Sequence, residues 1–367
     1  MRVGLVIYGS LDTLSGGYLY DRMLVSHLKR HGDEVVVVSL SWRAYPRHLL
    51  DNISPRVWRT LHRERVDLWL QDELNHPSLF LLNRWQHAPH PAPRVAIVHH
   101  LRCQETRPAW QNALYRLIEG AYLRTLDGFI FNSRTTRRTV FALTPTEAPH
   151  VVAYPGRDRL GPPLSEGDVI ARAREDGPLR VLFVGNLIPR KGLHLLLEAL
   201  AHLPPACAVL DVVGGAAFDK GYAQRVRARA SHPDLAQRVR FHGPLPDEAL
   251  IRLMRESHVL AVPSSYEGFG IVYIEAMGFG LPVIAGQRGA EREIVRYGEN
   301  GFLVPEGAVD VLAEHLYTLC TDRARLEQMS LAALARHREH PTWEESMAQA
   351  RTFLHQLREG FTPPRAG

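Results

Sequence analysis

The chain has 367 residues, of which 45% are hydrophobic and 23% charged, a composition that excludes disordered, collagen-like and low-complexity proteins. This length is about twice that of a typical domain, so we expect two domains. No apolar run approaches the roughly 18 residues needed to span a membrane, and the first residues lack the pattern of a signal peptide. Three widely spaced cysteines indicate neither a metal site nor a disulfide framework. We therefore expect a soluble, cytoplasmic protein with reduced thiols.

The charge is distributed unevenly along the chain. Residues 1–160 hold 21 Lys and Arg against 14 Asp and Glu, a net charge of +7, whereas residues 161–367 hold 23 against 25, a net charge of −2. A basic first half predicts contact with something anionic. Only three of the 44 basic residues are lysines, Lys29, Lys191 and Lys220. Each lysine is therefore an exception to a strong preference for arginine.

In the first half, short apolar segments alternate with helical or irregular ones. A predicted strand at residues 3–8 leads into a loop that ends at Gly16 and Gly17, and an amphipathic helix and a strand at residues 34–40 follow. Further strands are expected at residues 66–70, 94–98, 128–131 and 151–154. This alternation predicts parallel strands joined by crossovers, a doubly wound α/β domain over residues 1–155.

A second alternation follows a break. Residues 156–178 are rich in proline, glycine and charge and are expected to form a linker. The pattern restarts over residues 179–341, with strands predicted at 179–184, 208–213, 239–241, 259–262 and 282–284, and helices at 192–203, 247–256 and 269–279. A final amphipathic helix over residues 342–360 is assigned to the first domain. Two doubly wound domains in tandem predict a ligand-binding cleft at the carboxyl ends of their strands.

Two carboxylates follow the strand predicted at residues 259–262. Glu267 and Glu275 stand eight residues apart, and Gly268 and Gly270 flank Phe269 at the predicted helix start. Free N–H groups at a helix start and close approach at glycine suit a phosphate or sugar hydroxyls. Eight helical residues rise by about 12 Å, so the carboxylates can contact different parts of one elongated ligand. The alternative is an N-terminal helix charge at Glu267 and an ordinary helix residue at Glu275.

Two cations, Arg190 and Lys191, lie between a predicted strand and the helix that follows it. Cations at a helix N-terminus oppose the helix dipole, which is unfavourable unless an anion binds there. The rarity of lysine strengthens this interpretation, because a compact ammonium suits a phosphate oxygen in a tight site. The alternative is a pair of solvated charges.

Several motifs occur in order within residues 179–305: Val184-Gly185, Pro189-Arg190-Lys191-Gly192, Phe241-His242-Gly243, Glu267-Gly268-Phe269-Gly270 with Glu275-Ala276, Gly289-Ala290 with Glu293-Ile294-Val295, and Asn300-Gly301-Phe302-Leu303-Val304. With them, this region resembles the family 4 glycosyltransferases, retaining enzymes of the GT-B fold, in which two Rossmann-like domains face each other across a cleft. The first half resembles the family more loosely, through Ser15-Gly16-Gly17, His99-His100, Asn132-Ser133 and Tyr154-Pro155-Gly156.

The resemblance implies a role for each site residue. Arg190 and Lys191 would bind the donor diphosphate, and Glu275 would bind the ribose hydroxyls. Glu267 would bind the donor sugar together with the N–H groups of Gly268, Phe269 and Gly270. Backbone near Gly243 would contact the base, and Gly16 and Gly17 would approach the phosphates. His99, at the tip of a strand, would orient the donor sugar, with His100 and Ser133 as reserve candidates. Asn186 departs from the arginine that is frequent in the family.

No two aspartates stand two positions apart, so the Asp-x-Asp metal clamp of the other large glycosyltransferase architecture is missing. We expect neither a metal nor a cofactor, with the leaving diphosphate neutralised by Arg190, Lys191 and helix N-termini. The predicted function is retaining transfer of a hexose from a UDP- or GDP-sugar to an acceptor hydroxyl. Alternatives are a GT-B-like sugar-nucleotide epimerase and a non-catalytic nucleotide-sugar-binding protein. An NAD oxidoreductase is disfavoured because no Gly-x-Gly-x-x-Gly follows a strand.

The acceptor is left open among lipid, glycan and small molecule. Residues 42–65 mix six arginines with aromatic residues, and residues 110–124 are amphipathic at helical spacing. Both patterns suit peripheral docking on an anionic membrane at its inner face. The alternative, which we favour, is that the helix near residues 110–126 packs on the sheet and the arginines coat the exterior. No nucleic-acid-binding module is recognised, so nucleic acid is not an expected partner.

Overall fold

The computed structural model describes residues 1–85, 91–105 and 107–362. Contacts within the chain divide it into two units. Unit 1 comprises Met1–Pro155 and Trp343–Gly367, and unit 2 comprises Gly156–Thr342. Within the described residues, no helix combines the length and hydropathy that crossing a membrane requires.

Unit 1 contains a six-stranded parallel sheet with the strand order β2-β1-β3-β4-β5-β6. Its strands are β1 (Arg2–Tyr8), β2 (Glu34–Leu40), β3 (Leu68–Asp72), β4 (Arg94–Val98), β5 (Gly128–Phe131) and β6 (His150–Val152). Its helices are α1 (Gly16–Arg30), α2 (Tyr45–Leu49), α3 (Pro55–Arg63), α4 (His76–Leu79), α5 (Leu82–Trp85), α6 (Ala109–Leu123) and α7 (Arg134–Leu143). The C-terminal helix Trp343–Gly360 packs on α1, and its Arg351 Nε donates to Oδ2 of buried Asp33, between α1 and β2, at 2.6 Å.

Unit 2 repeats this architecture with the strand order β12-β11-β10-β7-β8-β9. Its strands are β7 (Leu179–Val184), β8 (Ala208–Val213), β9 (Val239–Gly243), β10 (Val259–Val262), β11 (Val283–Ala285) and β12 (Gly301–Leu303). Its helices are α8 (Glu166–Ala173), α9 (Leu193–Ala201), α10 (Lys220–Ala230), α11 (Asp247–Glu256), α12 (Ile271–Met277), α13 (Val309–Thr321) and α14 (Arg323–Glu339). The central strand β10 is fully buried and four of the six residues of β7 are buried, as expected for mostly apolar strands at the centre of a parallel sheet.

Each sheet has one point where the strand order reverses. In unit 1, β1 lies between β2 and β3, and in unit 2, β7 lies between β8 and β10. Loops after neighbouring strands on the two sides of such a point diverge and leave a crevice at the carboxyl edge of the sheet. The switch point of unit 1 therefore involves the loops after β1 and β3, and that of unit 2 the loops after β7 and β10.

The segment 156–178, which we expected to be a linker, is a packed part of unit 2. It contains α8, whose Val169 is fully buried, and Arg172 Nη2 donates to Gly280 O at 3.0 Å. Gly280 adopts φ +65°, and a Cβ there would lie 2.6 Å from Val169. The proline and glycine content suggested a linker, but the apolar face of this short helix anchors the segment.

Candidate functional site

A loop that bears two cations and a loop that bears a carboxylate meet at the switch point of unit 2. The loop after β7 carries Arg190 and Lys191 in a short 3-10 turn, and the loop after β10 carries Glu267. Ser265 N donates to Arg190 O at 2.9 Å, which joins the loops through their backbones. Gly192 follows Lys191 at φ +72°, and a Cβ there would lie 2.3 Å from Pro263 O. Only glycine permits this close approach.

Lys191 forms a hydrogen-bonded ion pair with Glu267. The Lys191 side chain is only 17% exposed, and its stem lies 3.5 Å from the position of a Cβ on Gly185. Lys191 is therefore a confined cation and not the solvated charge of the alternative interpretation. Burial lowers the pKa of Lys191, and the negative charge of Glu267 opposes that effect.

Glu267 is the anionic centre of this loop pair. Its side chain is 8% exposed, Ser264 Oγ donates to its Oε1 at 2.7 Å, and Arg190 Nη1 lies 3.5 Å from its Oε2. Burial alone would raise the pKa of Glu267, but the charges of Lys191 and Arg190 lower it to about 2. Glu267 is thus ionised at neutral pH, and the loop pair keeps an excess of positive charge.

Glu275 lies on α12 and has different partners from Glu267. It is 4% exposed, and its Oε1 accepts a hydrogen bond from Arg159 Nε at 2.5 Å. Arg159 Nη1 also donates to Asp247 Oδ1, the first residue of α11, at 2.5 Å. The two carboxylates of the Glu-x-x-x-x-x-x-x-Glu element therefore have separate partners.

The predicted glycines and Phe269 lie close to these carboxylates in sequence and structure. Gly270 precedes α12 at φ +94°, where a Cβ would lie 2.3 Å from Tyr273, and Phe269 is buried. The predicted helix 269–279 is therefore shorter, because Gly270 leaves the helical conformation.

Gly243 ends β9 at φ +71°, with open space where a Cβ would project. A ligand can approach the backbone closely at Gly243.

A further buried acid, Glu291, adjoins this loop pair. It is fully buried in a 3-10 turn after β11, and Gly289 N donates to its Oε2 at 2.6 Å. Oε1 has no hydrogen-bond partner among the described residues. Burial and the charge of Glu267 raise the pKa of Glu291 to about 7.

In unit 1, His99 and Gly17 lie against each other. His99 follows β4, and a Cβ on Gly17, the second residue of α1, would lie 3.0 Å from the His99 ring. His99 Nε2 lies 3.2 Å from Oδ1 of Asp21, which is fully buried. Burial alone would lower the pKa of His99, but the hydrogen bond to Asp21 and nearby acidic charge raise it. Gly16, the first residue of α1, follows the N-cap Ser15.

The reserve residues have local partners. His100 Nε2 lies 3.0 Å from Glu105 Oε1. Ser133 is fully buried and caps α7, with its Oγ accepting from Thr136 N at 2.9 Å. This cap gives Ser133 a structural role that suffices to explain it.

Three groups in the described part of unit 1 have the donor atoms of a metal site. Within each group the ligand atoms lie within 4.8 Å of one another, and the groups are Asp21, Asp72 and His99, then Glu73, His76 and Glu119, and lastly His27, His31 and Glu344, of which His31 and Glu344 are exposed. Burial, helped by the charge of Asp21, raises the pKa of Asp72 to about 8. A carboxyl that keeps its proton at neutral pH is a poor metal ligand.

Comparison with known proteins finds a family match over most of unit 2. The model of the family described as "Glycosyl transferases group 1" matches residues 169–336. The chain carries a glycosyl transferases group 1 domain. The motifs between Val184 and Val304, on which the resemblance mainly rested, fall within this domain, whereas the looser motifs of the first half lie outside it.

Relatives extend the similarity beyond the group 1 domain. The chain is 28% identical to the phosphatidyl-myo-inositol mannosyltransferase of Mycobacterium leprae, over 87% of each chain. It is 33% identical to the D-inositol 3-phosphate glycosyltransferase of Streptomyces bingchenggensis, over 57% of this chain and 48% of that protein. Although the match to the Mycobacterium leprae protein covers 87% of that relative, the chain spans about half the length, or less, of others among the first relatives that it matches, such as 48% of the Streptomyces bingchenggensis protein and 38% of the D-inositol 3-phosphate glycosyltransferase of Rhodococcus opacus.

A solved structure shares the fold of the chain. Sucrose-phosphate synthase from Thermosynechococcus elongatus superposes with a TM-score of 0.82 at 23% identity, over 98% of this chain and 100% of that chain. With the two six-stranded parallel sheets, this confirms the predicted fold class, two doubly wound Rossmann-like domains of the GT-B type.

The group 1 domain contains Arg190, Lys191, Gly243, Glu267 and Glu275, with Gly268, Phe269 and Gly270 between the last two. Sequence reasoning missed three charged residues that contact or adjoin the candidate residues: Arg159, Glu291 and Asp21. Arg159 is 116 positions from Glu275, so no local pattern connects them. Asp21 had a usable signal, because it lies one helical turn beyond Gly17 and on the same helix face.

Proposed function

We propose that the protein transfers a hexose from a UDP- or GDP-sugar to an acceptor hydroxyl, with retention of configuration and without a metal or cofactor. The observation that carries this proposal is the confined Lys191–Glu267 pair with Arg190 beside it, at the switch point of unit 2. Two cations against one carboxylate leave positive charge for an anion at the position where doubly wound sheets bind nucleotides. A buried, preorganised cation stabilises a leaving diphosphate without rearrangement.

The proposed reaction needs no protein nucleophile. The bond between the anomeric carbon and the phosphate oxygen breaks, the acceptor oxygen attacks from the same face, and the acceptor proton passes to the leaving phosphate. Arg190 and Lys191 would stabilise the negative charge that develops on the diphosphate. Glu267 would hold Lys191 in place and bind sugar hydroxyls, and Glu275 would bind the ribose.

In unit 1, we propose that His99 binds a hydroxyl of the donor sugar. Its Nε2 is hydrogen-bonded to Asp21, so Nδ1 is the ring nitrogen that would bind a ligand. Because the carboxylate of Asp21 raises the pKa of His99, the ring favours donating a hydrogen bond through Nδ1.

The names of the relatives and the charge of the chain both favour an anionic acceptor that contains inositol. Both relatives above are named for acceptors that contain inositol, one as its phosphate and one as its phosphatidyl derivative. The net charge of +7 over residues 1–160 supports an anionic acceptor. We propose an inositol phosphate or phosphatidylinositol as the first acceptors to test.

Incubating the protein with UDP- and GDP-linked hexoses and these acceptors tests the proposal, with products detected by mass spectrometry. A product heavier than the acceptor by one hexose, with unchanged anomeric configuration by NMR, is the expected result. Donor binding without product would favour a non-catalytic nucleotide-sugar-binding protein, and conversion of the donor to an isomeric sugar nucleotide would favour an epimerase.

Metal independence is expected in the same assay. Arg190, Lys191 and helix N-termini would supply the positive charge that Mg²⁺ or Mn²⁺ supplies elsewhere. Transfer in excess EDTA should remain within about two-fold of the untreated rate, since removing an essential catalytic metal removes several kcal/mol of stabilisation. A strict requirement for added Mg²⁺ or Mn²⁺ would contradict the proposal.

We also propose that α6 docks on an anionic membrane surface. It exposes Trp110 (69%), Leu114 (44%) and Leu117 (69%), which follow one another at helical spacing, whereas Ile118 and most residues after it are buried. Packing on the sheet, the interpretation that we favoured from sequence, thus accounts for the second half of the helix only. Arg116 is exposed between two of the apolar residues, as expected for an interfacial helix that approaches anionic lipid.

Docking through α6 predicts binding to vesicles that contain phosphatidylglycerol and little binding to pure phosphatidylcholine. Replacing both Trp110 and Leu117 with Ser should weaken vesicle binding by about ten-fold or more, because burial of two large apolar side chains is lost. Cosedimentation measures the effect, and Phe218→Ser, which removes an apolar residue of unit 2 that is 54% exposed, serves as the control. Equal binding by all three proteins would exclude α6 as the docking element.

A further inference from the structure

Arg159 connects two acidic residues from different elements of unit 2. Its Nε donates to Glu275 Oε1 on α12 at 2.5 Å, and its Nη1 donates to Asp247 Oδ1 on α11 at 2.5 Å. The Arg159 side chain is 20% exposed, and Glu275 is 4% exposed. Arg159 lies in the segment before α8, which was expected to be a linker, and outside the region that the family model matches.

Glu275 needs a partner that keeps it ionised and oriented. A carboxylate with 4% exposure is stable only when it is paired or hydrogen-bonded. Burial opposes the charge on Arg159, but Glu275 and Asp247 together raise the pKa of Arg159, so the guanidinium stays charged at any physiological pH. The contact occupies one carboxylate oxygen, Oε1, and leaves Oε2 for a ligand.

The fork of the guanidinium explains why arginine suits this position. Nε and Nη1 point in different directions from one rigid plane, so a single side chain fixes two carboxylates at once. An ammonium lacks this geometry and would hold one carboxylate loosely. Anchoring through Asp247 therefore fixes where Arg159 holds Glu275.

We propose that Arg159 is the positioning residue that holds the Glu275 carboxylate in the orientation in which it binds the 2′- and 3′-hydroxyls of the donor ribose. This inference rests on the proposed function, because it assumes that Glu275 contacts ribose. Arg159 acts through Glu275 and does not itself contact the nucleotide.

Discrimination between ribose and deoxyribose measures this role directly. Titration calorimetry with UDP and GDP, and with dUDP and dGDP, gives the preference of each protein for the ribose form. The wild-type protein should prefer the ribose form of the nucleotide that it binds by about ten-fold or more, as expected for a hydrogen bond to a charged group. Arg159→Ala should reduce this preference to about three-fold or less and change deoxyribonucleotide affinity by less than about two-fold.

Three further variants separate positioning from general structural damage. Arg159→Lys keeps the charge without the fork and should show an intermediate preference. Glu275→Ala should lose the preference entirely. Arg174→Ala breaks a different Arg–Glu pair of unit 2, the exposed contact with Glu327 at 2.6 Å, and should keep the wild-type preference. If Arg159→Ala does not fold, the intermediate preference of Arg159→Lys decides the question.

The possible outcomes distinguish an error in the role of Arg159 from an error in the assignment of Glu275 to the ribose. A lost preference in Glu275→Ala with a wild-type preference in both Arg159 variants would overturn the role of Arg159 and leave the proposed function standing. Equal weakening of ribose and deoxyribose forms in Arg159→Ala would make Arg159 a structural residue and overturn its positioning role. An unchanged preference in Glu275→Ala, or no binding of UDP or GDP by the wild type, would overturn the ribose assignment and this inference with it.

Discussion

Replacing Lys191 with arginine is expected to lower turnover by about ten-fold or more, on the order of 1.4 kcal/mol, and to leave nucleoside diphosphate affinity within about three-fold of wild type. The charge is conserved, so attraction of the diphosphate survives. The stem of Lys191 lies against Gly185, and its ammonium is paired with Glu267 in a space that leaves it 17% exposed. A larger planar guanidinium cannot occupy the position of that ammonium and would misplace the phosphate in the transition state.

Lys191→Ala should have a larger and different effect. Turnover should fall by about 100-fold, the range seen when one preorganised donor to a developing negative charge is removed. Stability should also fall, by about 3 kcal/mol, because removing one partner of a buried pair leaves the Glu267 carboxylate undercompensated. Steady-state kinetics and denaturant unfolding measure the two effects.

The arginine preference of the chain supplies the matched control. Lys220 is the exposed first residue of α10, and Lys220→Arg should be silent in turnover and stability. Wild-type turnover in Lys191→Arg would show that the ammonium does not contact the reacting diphosphate. Arg190 would then be the remaining phosphate cation in this loop pair.

The parallel strands and their ligand-binding edges could be predicted from the sequence. Strands at residues 34–40, 94–98, 128–131, 179–184, 208–213 and 259–262 occupy the predicted positions, because strands of parallel sheets are short, largely apolar segments bounded by polar or glycine residues. Since the carboxyl ends of such strands share an edge, the loops that carry Lys191 and Glu267 were expected near a ligand. Their direct pairing was not predicted, because local periodicity carries no information on which side chains of distant loops meet.

Contacts through irregular segments could not be predicted for the same reason. Arg159 has neither helical nor strand periodicity around it, and its partner Glu275 is 116 positions away. Glu291 stands in the run Glu291-Arg292-Glu293, which resembles a solvated turn, and Arg292 is indeed exposed. Glu291 is buried because its turn packs on the loop after β10, where Ala290 N donates to Glu267 O at 2.9 Å.

Glu291→Gln is expected to make unit 2 more resistant to unfolding at high pH than the wild-type chain. The pKa of Glu291 rises from its usual 4.5 to about 7 on folding, because of burial and the charge of Glu267. A group of this kind stabilises the fold fully below about pH 4.5, where both states are protonated, and this contribution is lost as pH rises to about 7. The loss corresponds to about 3 kcal/mol. Glutamine cannot ionise, and its amide oxygen can still accept from Gly289 N.

The measurement must report on unit 2 alone. All six tryptophans belong to unit 1, so tryptophan fluorescence does not follow unit 2, whereas amide hydrogen exchange of β10 and β11 gives its local unfolding free energy. Between pH 5 and 8, the difference between Glu291→Gln and wild type should shift in favour of the variant by about 2–3 kcal/mol. Glu299→Gln, which changes an exposed acid of the same region with a side chain 55% exposed, should shift this difference by less than about 0.5 kcal/mol. Parallel pH curves for Glu291→Gln and wild type would mean that Glu291 is already ionised in the folded protein at pH 5, with Lys191 compensating its charge.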